Sequence, residues 1–413
     1  MIATGKLWSA VFSSKALAAL LVAVGLCRQL DVEGVRGGFS GWQPCRKAVG
    51  CMFSTRDVAQ YLHLSRTGYR LGSKNCAFYP LWPGAIHLAT LMRGRRPVLA
   101  AMLLTNALSL LGFWLLYRLV ERHCGPETAR DSLIVTLAFP GALFFSFPYS
   151  ESIFLVLVLL FFWGLELQRW SWAAAAGFLL PMTRATGVFV LAPLAWWLWE
   201  EQKVGRGKQK LDDNNSEFAN AGAEERHGPW RAGQLALRTL WRAAGRRRLA
   251  PWLLLLCPLL GYAAYFGLMH LWTGNALEGF AAQKFYPNSP SIANMFDISG
   301  FGNALLNVRT LDGMTDSALD RIFFLLFLAL LWPIYRLNKV WFWYVLPAGL
   351  VPALSSWFMS YRRYIMVLFP MFVVLAVALR RTKSRWLFWY YVVLLAAIQA
   401  WAVKQFVSFK WAG

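Results

Sequence analysis

The chain has 413 residues, of which 58% are apolar and 16% aromatic, while only 15% are charged. A soluble fold of this size cannot hide that much apolar surface, and apolar runs approaching the ~20 residues needed to cross a bilayer recur along the whole length. The net charge of +22 comes from Lys and Arg clustered in short segments between these runs. Such clusters set membrane topology and contact anionic headgroups, so the composition excludes a soluble enzyme and argues against nucleic-acid binding.

Taken in chain order, the apolar runs predict an all-α, polytopic membrane protein with about eleven transmembrane helices. The first run has a charged start and could pass for a signal peptide. No cleavage site followed by a soluble domain appears, so we interpret it as a membrane anchor. The predicted spans are at about 7–27, 97–119, 131–147, 149–168, 171–183, 185–199, 251–273, 321–337, 341–359, 364–380 and 386–407.

The segment 171–199 decides on which side of the membrane the later loops lie. At about 1.5 Å per residue it is too long for one upright helix and short for two. Pro181 and the run Thr183–Gly187 interrupt its middle. We therefore favour two short helices that meet outside the membrane, and a single span is the alternative.

Basic clusters give the orientation. With eleven spans, Arg246–Arg248, Arg380–Arg385 and the pair Arg336 and Lys339 fall on one side, which the positive-inside bias assigns to the cytoplasm. The loop 28–96 is also basic, but long loops follow this bias weakly. The sequence thus predicts that the loop 28–96 and the loop 274–320 face the opposite side.

The same pattern divides the chain into three parts. Residues 1–199 form an N-terminal membrane module that carries the outer loop 28–96, and residues 251–413 form a C-terminal membrane module. Between them, 200–250 begins rich in Gly, Asn, Glu and Lys and ends with a basic helical stretch, which is typical of a cytoplasmic linker with little fixed structure.

A helix that lies along the membrane surface is predicted within the first outer loop. From Asp57 to Tyr69 the spacing places Asp57 and Tyr61 on one face, with His63 and Arg66 roughly opposite. The carboxylate of Asp57 on this helix is our candidate for a catalytic base. The alternative is structural, since a carboxylate at a helix N-terminus is favoured by the helix dipole.

Glu151, Arg184 and Arg363 are the other charges that the membrane does not explain. Glu151 starts a long apolar run, where the dipole also favours a carboxylate. Arg184 lies between two apolar helices, which costs several kcal/mol unless an anion or a water-filled cavity receives it. A phosphate or Glu151 could be that anion. Arg363 raises the same question, although Arg362 and Arg363 could also extend to the interface.

At these residues the chain resembles the PIG-V family of membrane mannosyltransferases, whose eukaryotic members add the second mannose of the glycosylphosphatidylinositol anchor. The run 273–280, with Gln283 after it, resembles the Gly-Asp-Pro-Leu segment of bacterial members, although Asn275-Ala276 stands in place of Asp-Pro. Arg56 replaces the usual Trp before the acid. The matching motifs are Arg56-Asp57, Tyr61, Gly68-Tyr69, Phe78–Pro83, Pro148–Ser152, Arg184–Gly187, and Arg363-Tyr364 before Phe369-Pro370.

The resemblance implies a GT-C fold and an inverting transfer of a sugar, mannose in the eukaryotic members, from a polyprenyl-phosphate donor to a lipid-linked or other acceptor on the outer or luminal face. Asp57 would act as general base. Arg184, Arg363 or the group Arg93–Arg96 would stabilise charge on the leaving lipid phosphate. The substrate-binding residues expected from these motifs are Tyr61, Glu151, Arg184, Gln283, Arg363 and Tyr364.

No resident cofactor is expected, and no His, Cys or acidic spacing typical of a metal site is found, which leaves metal dependence open. The expected partners are the lipid-linked donor, the acceptor and membrane lipids, with no nucleic acid. The expected location is a bacterial inner membrane, or the endoplasmic reticulum membrane for a eukaryotic protein. The alternatives are transfer of another lipid-linked sugar, a multi-pass transporter, and a non-catalytic membrane scaffold.

Overall fold

The computed structural model describes residues 56–92, 96–202, 250–382 and 384–407. Within these residues the fold is all-α, and the only β-type pairing is an isolated bridge between Thr310 and Ser317. The predicted span 7–27, residues 28–55 of the outer loop and residues 203–249 of the linker lie outside the described part of the chain.

The α-helices of five or more residues in the described part of the chain are numbered in chain order. They are α1 Asp57–Thr67, α2 Leu81–Met92, α3 Pro97–Ala138, α4 Glu151–Glu166, α5 Trp170–Thr183, α6 with described residues 191–202, α7 Leu256–Thr273, α8 Ile298–Leu306, α9 Ala318–Leu337, α10 Lys339–Ser356, α11 Tyr361–Ile365, α12 Phe369–Arg381 and α13 Arg385–Val407.

Four helices in the described residues are long and apolar enough to cross a bilayer: α3, the stretch Pro251–Thr273 that includes α7, α9, and Arg385–Phe406 of α13. The described residues contain ten of the eleven predicted spans, so fewer helices than expected are long enough to cross, although each of these ten spans overlaps a helix. Several of these helices are short. At about 1.5 Å per residue, the 16 residues of α4 extend about 24 Å, against a hydrocarbon core of about 30 Å.

Local backbone signals explain where the helices break. Helix α3 is interrupted at Gly125, whose φ of 83° is not helical, and Pro126 follows it. This break separates the predicted spans 97–119 and 131–147. Helix α3 ends at Ala138, so the rest of the second predicted span is not part of it. The predicted break between 359 and 364 is longer in the structure, because α10 ends at Ser356, α12 begins at Phe369, and only the short α11 lies between them.

Helix α1 packs against α2, so its apolar side is covered by protein. Val58, Leu62 and Leu64 are buried, while His63 and Arg66 are exposed, as the predicted faces require. The helix ends at Thr67, two residues earlier than Tyr69, because Gly68 takes a left-handed φ of 70°. Whether its exposed face touches lipid headgroups stays a prediction.

Ion pairs lie at both ends of the helical bundle and involve different residues. Glu151 begins α4 and Arg184 follows α5, so these two residues mark one end, which we call the site end. At the opposite end, Asp131 of α3 accepts hydrogen bonds from Arg380 at 3.0 Å and from Arg385 at 2.8 Å. The basic run predicted to be cytoplasmic therefore lies at the end away from Glu151.

Cysteine labelling tests this polarity. Arg169 is exposed in the turn between α4 and α5, and Ser289 is exposed in a segment that bonds to the C-terminal end of α10 at the site end. We expect Arg169→Cys to be labelled by an impermeant thiol reagent only from the cytoplasmic side and Ser289→Cys only from the other side. Both variants are made in a protein whose native cysteines have been replaced. Labelling of both from one side would contradict the proposed topology.

Candidate functional site

A chain of ion pairs joins four predicted residues at the site end. Arg363 donates from Nη1 to Asp57 Oδ2 at 2.5 Å and from Nε to Glu151 Oε1 at 2.9 Å. Arg184 donates from Nη1 to the same Glu151 oxygen at 2.7 Å. The order is therefore Asp57, Arg363, Glu151, Arg184, and it links segments that are as far apart as 306 positions in the sequence.

Three of these charges lie at a helix end, and the fourth lies within a short helix. Asp57 is the first residue of α1, Glu151 is the first residue of α4, and Arg363 lies in the five-residue helix α11. Arg184 is extended and follows α5, and the turn after it folds back closely on the helix. A Cβ on Gly187 would lie 2.2 Å from the backbone of Leu180, so this turn admits only glycine.

The two carboxylates of the site differ in how far they are buried. The side chain of Glu151 is 0% exposed, whereas that of Asp57 is 27% exposed. Glu151 is thus enclosed by its guanidinium partners, and Asp57 is the carboxylate that an external molecule can reach. The second oxygen of Glu151, Oε2, is buried and has no hydrogen-bond partner among the described residues. It remains a free acceptor inside the site.

Aromatic rings cover the flat faces of both arginines. The guanidinium carbon of Arg363 lies 4.6 Å from the ring centre of Tyr149 and 5.0 Å from that of Phe144. Arg184 lies 4.9 Å from the ring of Tyr364. Rings stabilise desolvated cations at such distances, so the aromatic residues help to keep two arginines in a largely apolar environment.

Tyr61 lies beside the ion pairs and not within them. Its hydroxyl is 3.3 Å from the hydroxyl of Ser150, and its ring packs edge-on against Phe78 at 5.0 Å. Burial raises the pKa of the Tyr61 phenol, and the negative charge of Glu151 raises it further. Tyr61 is therefore a neutral hydrogen-bonding group next to Ser150.

Gln283 is not part of the chain of ion pairs. It lies in the 3-10 turn Ala282–Phe285, which packs against the turn Lys74–Ala77. No hydrogen bond joins its side chain to Asp57 or to the other charged site residues in the part of the chain that the structure describes. The prediction that Gln283 binds substrate stays a prediction.

A second buried ion cluster adjoins the first, and the sequence did not reveal it. Arg362, expected at most to extend to the interface, is 1% exposed. Its backbone N–H and its Nε donate to Asp320 Oδ1 at 3.0 and 3.3 Å, and its Nη2 pairs with Asp312. Burial raises the pKa of Asp312 to about 6, with Asp320 adding to the effect and Arg362 opposing it.

This cluster holds the backbone that presents Arg363. The preceding residues Trp357, Phe358 and Ser360 have positive φ values of 48°, 68° and 55°, which side-chain-bearing residues rarely adopt. Such strain persists only where surrounding contacts impose it. Asp320, an acid at the start of an apolar run, was the one signal that the sequence offered for this cluster.

The carboxylates do not use all the hydrogen-bond donors of the two arginines. Two carboxylates and two guanidinium groups cancel in formal charge, but each guanidinium carries five N–H donors. Arg184 uses one nitrogen for Glu151, and Arg363 uses two nitrogens for its carboxylates. The other guanidinium nitrogens of Arg184 and Arg363 make no hydrogen bond to the residues that the structure describes. No group of three metal-ligating side chains occurs among the described residues.

No protein-family model matches the chain, and a comparison with curated proteins finds no significant match either.

Proposed function

We propose that this protein is a membrane glycosyltransferase of the GT-C type. It moves a sugar, mannose by the resemblance stated above, from a polyprenyl-phosphate donor to a lipid-linked or other acceptor on the outer or luminal side. The observation that carries the proposal is one partly exposed carboxylate, Asp57, fixed by a buried Arg363–Glu151–Arg184 chain. A purely structural ion pair has no need of a reachable acid.

The proposed reaction uses these groups in fixed roles. An acceptor hydroxyl attacks the anomeric carbon of the donor sugar while Asp57 takes the hydroxyl proton as general base. The bond between that carbon and the phosphate oxygen breaks, and the polyprenyl phosphate leaves with the electron pair. The attack from the opposite face inverts the anomeric carbon.

Stabilisation of the leaving phosphate is assigned to Arg363 and Arg184. Both lie within one ion-pair chain that contains Asp57, and both retain N–H donors beyond those used for carboxylates. One guanidinium group can donate two parallel hydrogen bonds to phosphate oxygens. These bonds stabilise negative charge most strongly where water is excluded. The exposed fractions of 11% for Arg184 and 12% for Arg363 fit such an environment.

A transporter of an anionic solute is the second candidate, and one observation favours it. Broken helices flank the site at 184–190 and again at 357–368, and transporters bind substrate at such interruptions. An exposed acid that is positioned by an arginine is not required for anion transport. We therefore rank transport below sugar transfer.

The deciding experiment uses purified full-length protein in liposomes that contain an acceptor lipid extract. Labelled polyprenyl phosphate mannose, polyprenyl phosphate glucose and GDP-mannose are offered separately. We expect labelled glycolipid from a lipid-linked sugar, together with release of polyprenyl phosphate, and no product from GDP-mannose. Product from the glucose donor alone would mean that the protein transfers glucose, and the proposed reaction would otherwise stand. No product from any lipid-linked sugar, together with uptake of a labelled anion, would replace the proposal by transport.

A further inference from the structure

The connection between α7 and α9 is unusually apolar on its outside. It is not a membrane span, because its longest helix, α8, has nine residues. Yet its exposed side chains include large apolar ones, with exposed fractions as follows: Ile292 68%, Phe296 79%, Ile298 84% and Leu306 82%. Contiguous exposed apolar groups of this size mark an interaction surface.

Helix α8 has three distinct faces. Going round it at about 100° per residue, Phe301 lies on the face that packs against the protein, and Ile298 and Leu306 lie next to it on an exposed face. Asn303, which is exposed, follows on the third face, and the exposed Ser299 lies at its boundary with Leu306. A helix with protein, apolar and polar sectors in this order matches one that lies flat at a lipid–water boundary against a membrane protein.

The rest of the bundle fixes how α8 is turned. Phe301 packs against Phe358 with ring centres 5.4 Å apart. Arg321, in the first turns of α9, donates to the carbonyl oxygens of Ala304 at 2.6 Å and Thr315 at 2.7 Å. Since α9 is long and apolar enough to cross the bilayer, these contacts tie the orientation of α8 to a membrane span.

Exposed apolar side chains also lie on the two spans that this connection joins, near the ends next to it. Leu271 near the end of α7 is 77% exposed, and Ile322 and Leu325 of α9 are 55% and 58% exposed. Those surfaces face lipid in a spanning helix. Polar and charged exposed residues, Asp297 before α8 and Arg309 after it, flank the apolar face at the level where headgroups lie.

We propose that α8 lies in the bilayer interface at the site end, with Ile298 and Leu306 among the acyl chains, Asn303 toward water and Ser299 at the boundary. The occupant of the apolar face is membrane lipid. The inference is independent of the sugar-transfer chemistry. It sets the depth of the site, because the segment after α8 carries Asp312, which pairs with Arg362 beside Arg363.

Fluorescence quenching by brominated lipids tests the orientation. Single cysteines replace Ile298, Leu306, Ser299 or Asn303 in the full chain without native cysteines, and each carries the same small fluorophore in liposomes. We expect brominated acyl chains to quench the probe at 298 most strongly and the probe at 303 most weakly, with those at 306 and 299 between them. We expect an impermeant thiol reagent to react in the reverse order. The polar-face position 303 is the matched control on the same helix.

The outcomes are decisive in both directions. Equal quenching at all four positions, or fast aqueous labelling at 298 and 306, would overturn the proposal. Absence of quenching at 298 together with cross-links between two copies would assign the face to a protein partner and overturn it as well. If replacement of Ile298 impairs folding, Gly302→Cys serves instead. Gly302 lies between Ile298 and Leu306 on the helix, and an added Cβ there meets nothing within 4 Å.

Discussion

Asp57→Asn is expected to leave the protein inserted and folded while it lowers sugar transfer by about 10²–10⁴-fold, the usual contribution of a general base. The amide has the shape of the carboxylate and can still accept the hydrogen bond from Arg363, but it cannot take a proton from an acceptor hydroxyl. The measurement is the initial rate of transfer from the lipid-linked donor in liposomes, normalised to folded protein.

Asp297→Asn is the matched control for this prediction. Asp297 is an exposed acid of the same end of the bundle, where its carboxylate accepts from the N–H of Gly300 at 2.8 Å as an N-cap. Asparagine caps helices about as well as aspartate, so this protein should transfer at the wild-type rate. A transfer rate near wild type for Asp57→Asn as well would refute the role of Asp57 as base.

Glu151→Gln is expected to destabilise the protein strongly, by about 3–5 kcal/mol, which is the usual effect of breaking a buried ion pair. The fully buried carboxylate receives hydrogen bonds from Arg184 and Arg363 on a single oxygen. A neutral glutamine leaves the guanidinium of Arg184 without a carboxylate partner, and Arg363 keeps only Asp57. The measurement is the thermal midpoint in detergent, followed by the yield of monodisperse protein.

Glu166→Gln controls for the loss of an acid from the same helix. Glu166 ends α4 and pairs with His123 and Arg122 at the opposite end, where its side chain is 19% exposed. Partly solvated pairs contribute about 0–1 kcal/mol, so this protein should melt near the wild type. Equal melting of the two glutamine variants would mean that the Glu151 pairs do not stabilise the fold.

Two substitutions of Arg184 separate structural pairing from donor binding. If Arg184 serves donor phosphate, Arg184→Ala should raise the donor KM, and Arg184→Lys should recover only part of it, because an ammonium group lacks the paired geometry of guanidinium. If Arg184 serves only to hold Glu151, both should lower the thermal midpoint as Glu151→Gln does. Normal donor kinetics in a destabilised Arg184→Ala protein would make its role structural.

The helices were largely predictable because they depend on local pattern. Apolar runs of helical length specify helices wherever they occur. The adjacent Gly125 and Pro126 mark a break, whereas single prolines such as Pro181 and Pro333 lie inside helices. The number of spans was not predictable in the same way. A run of 14–16 residues such as α4 or α5 satisfies a hydropathy pattern, yet its length decides whether it can cross a bilayer by itself.

The candidate charges were found for a related reason. An ionisable residue beside apolar helices is costly in a membrane, so Asp57, Glu151, Arg184 and Arg363 attracted attention one by one. The sequence left open whether Arg184 meets a phosphate or Glu151. The structure shows the contact with Glu151, and the remaining N–H donors keep phosphate binding as a prediction.

The sequence by itself determined that this chain is helical and apolar enough for a membrane, and which charges lack a local explanation, because composition and periodicity act within a few turns of chain. Only the tertiary structure decided which charges become partners. Arg363 reaches Asp57 across 306 positions, and Arg362 is buried against Asp320 across 42. Such pairs depend on which helix ends meet, and packing of the whole bundle sets that geometry.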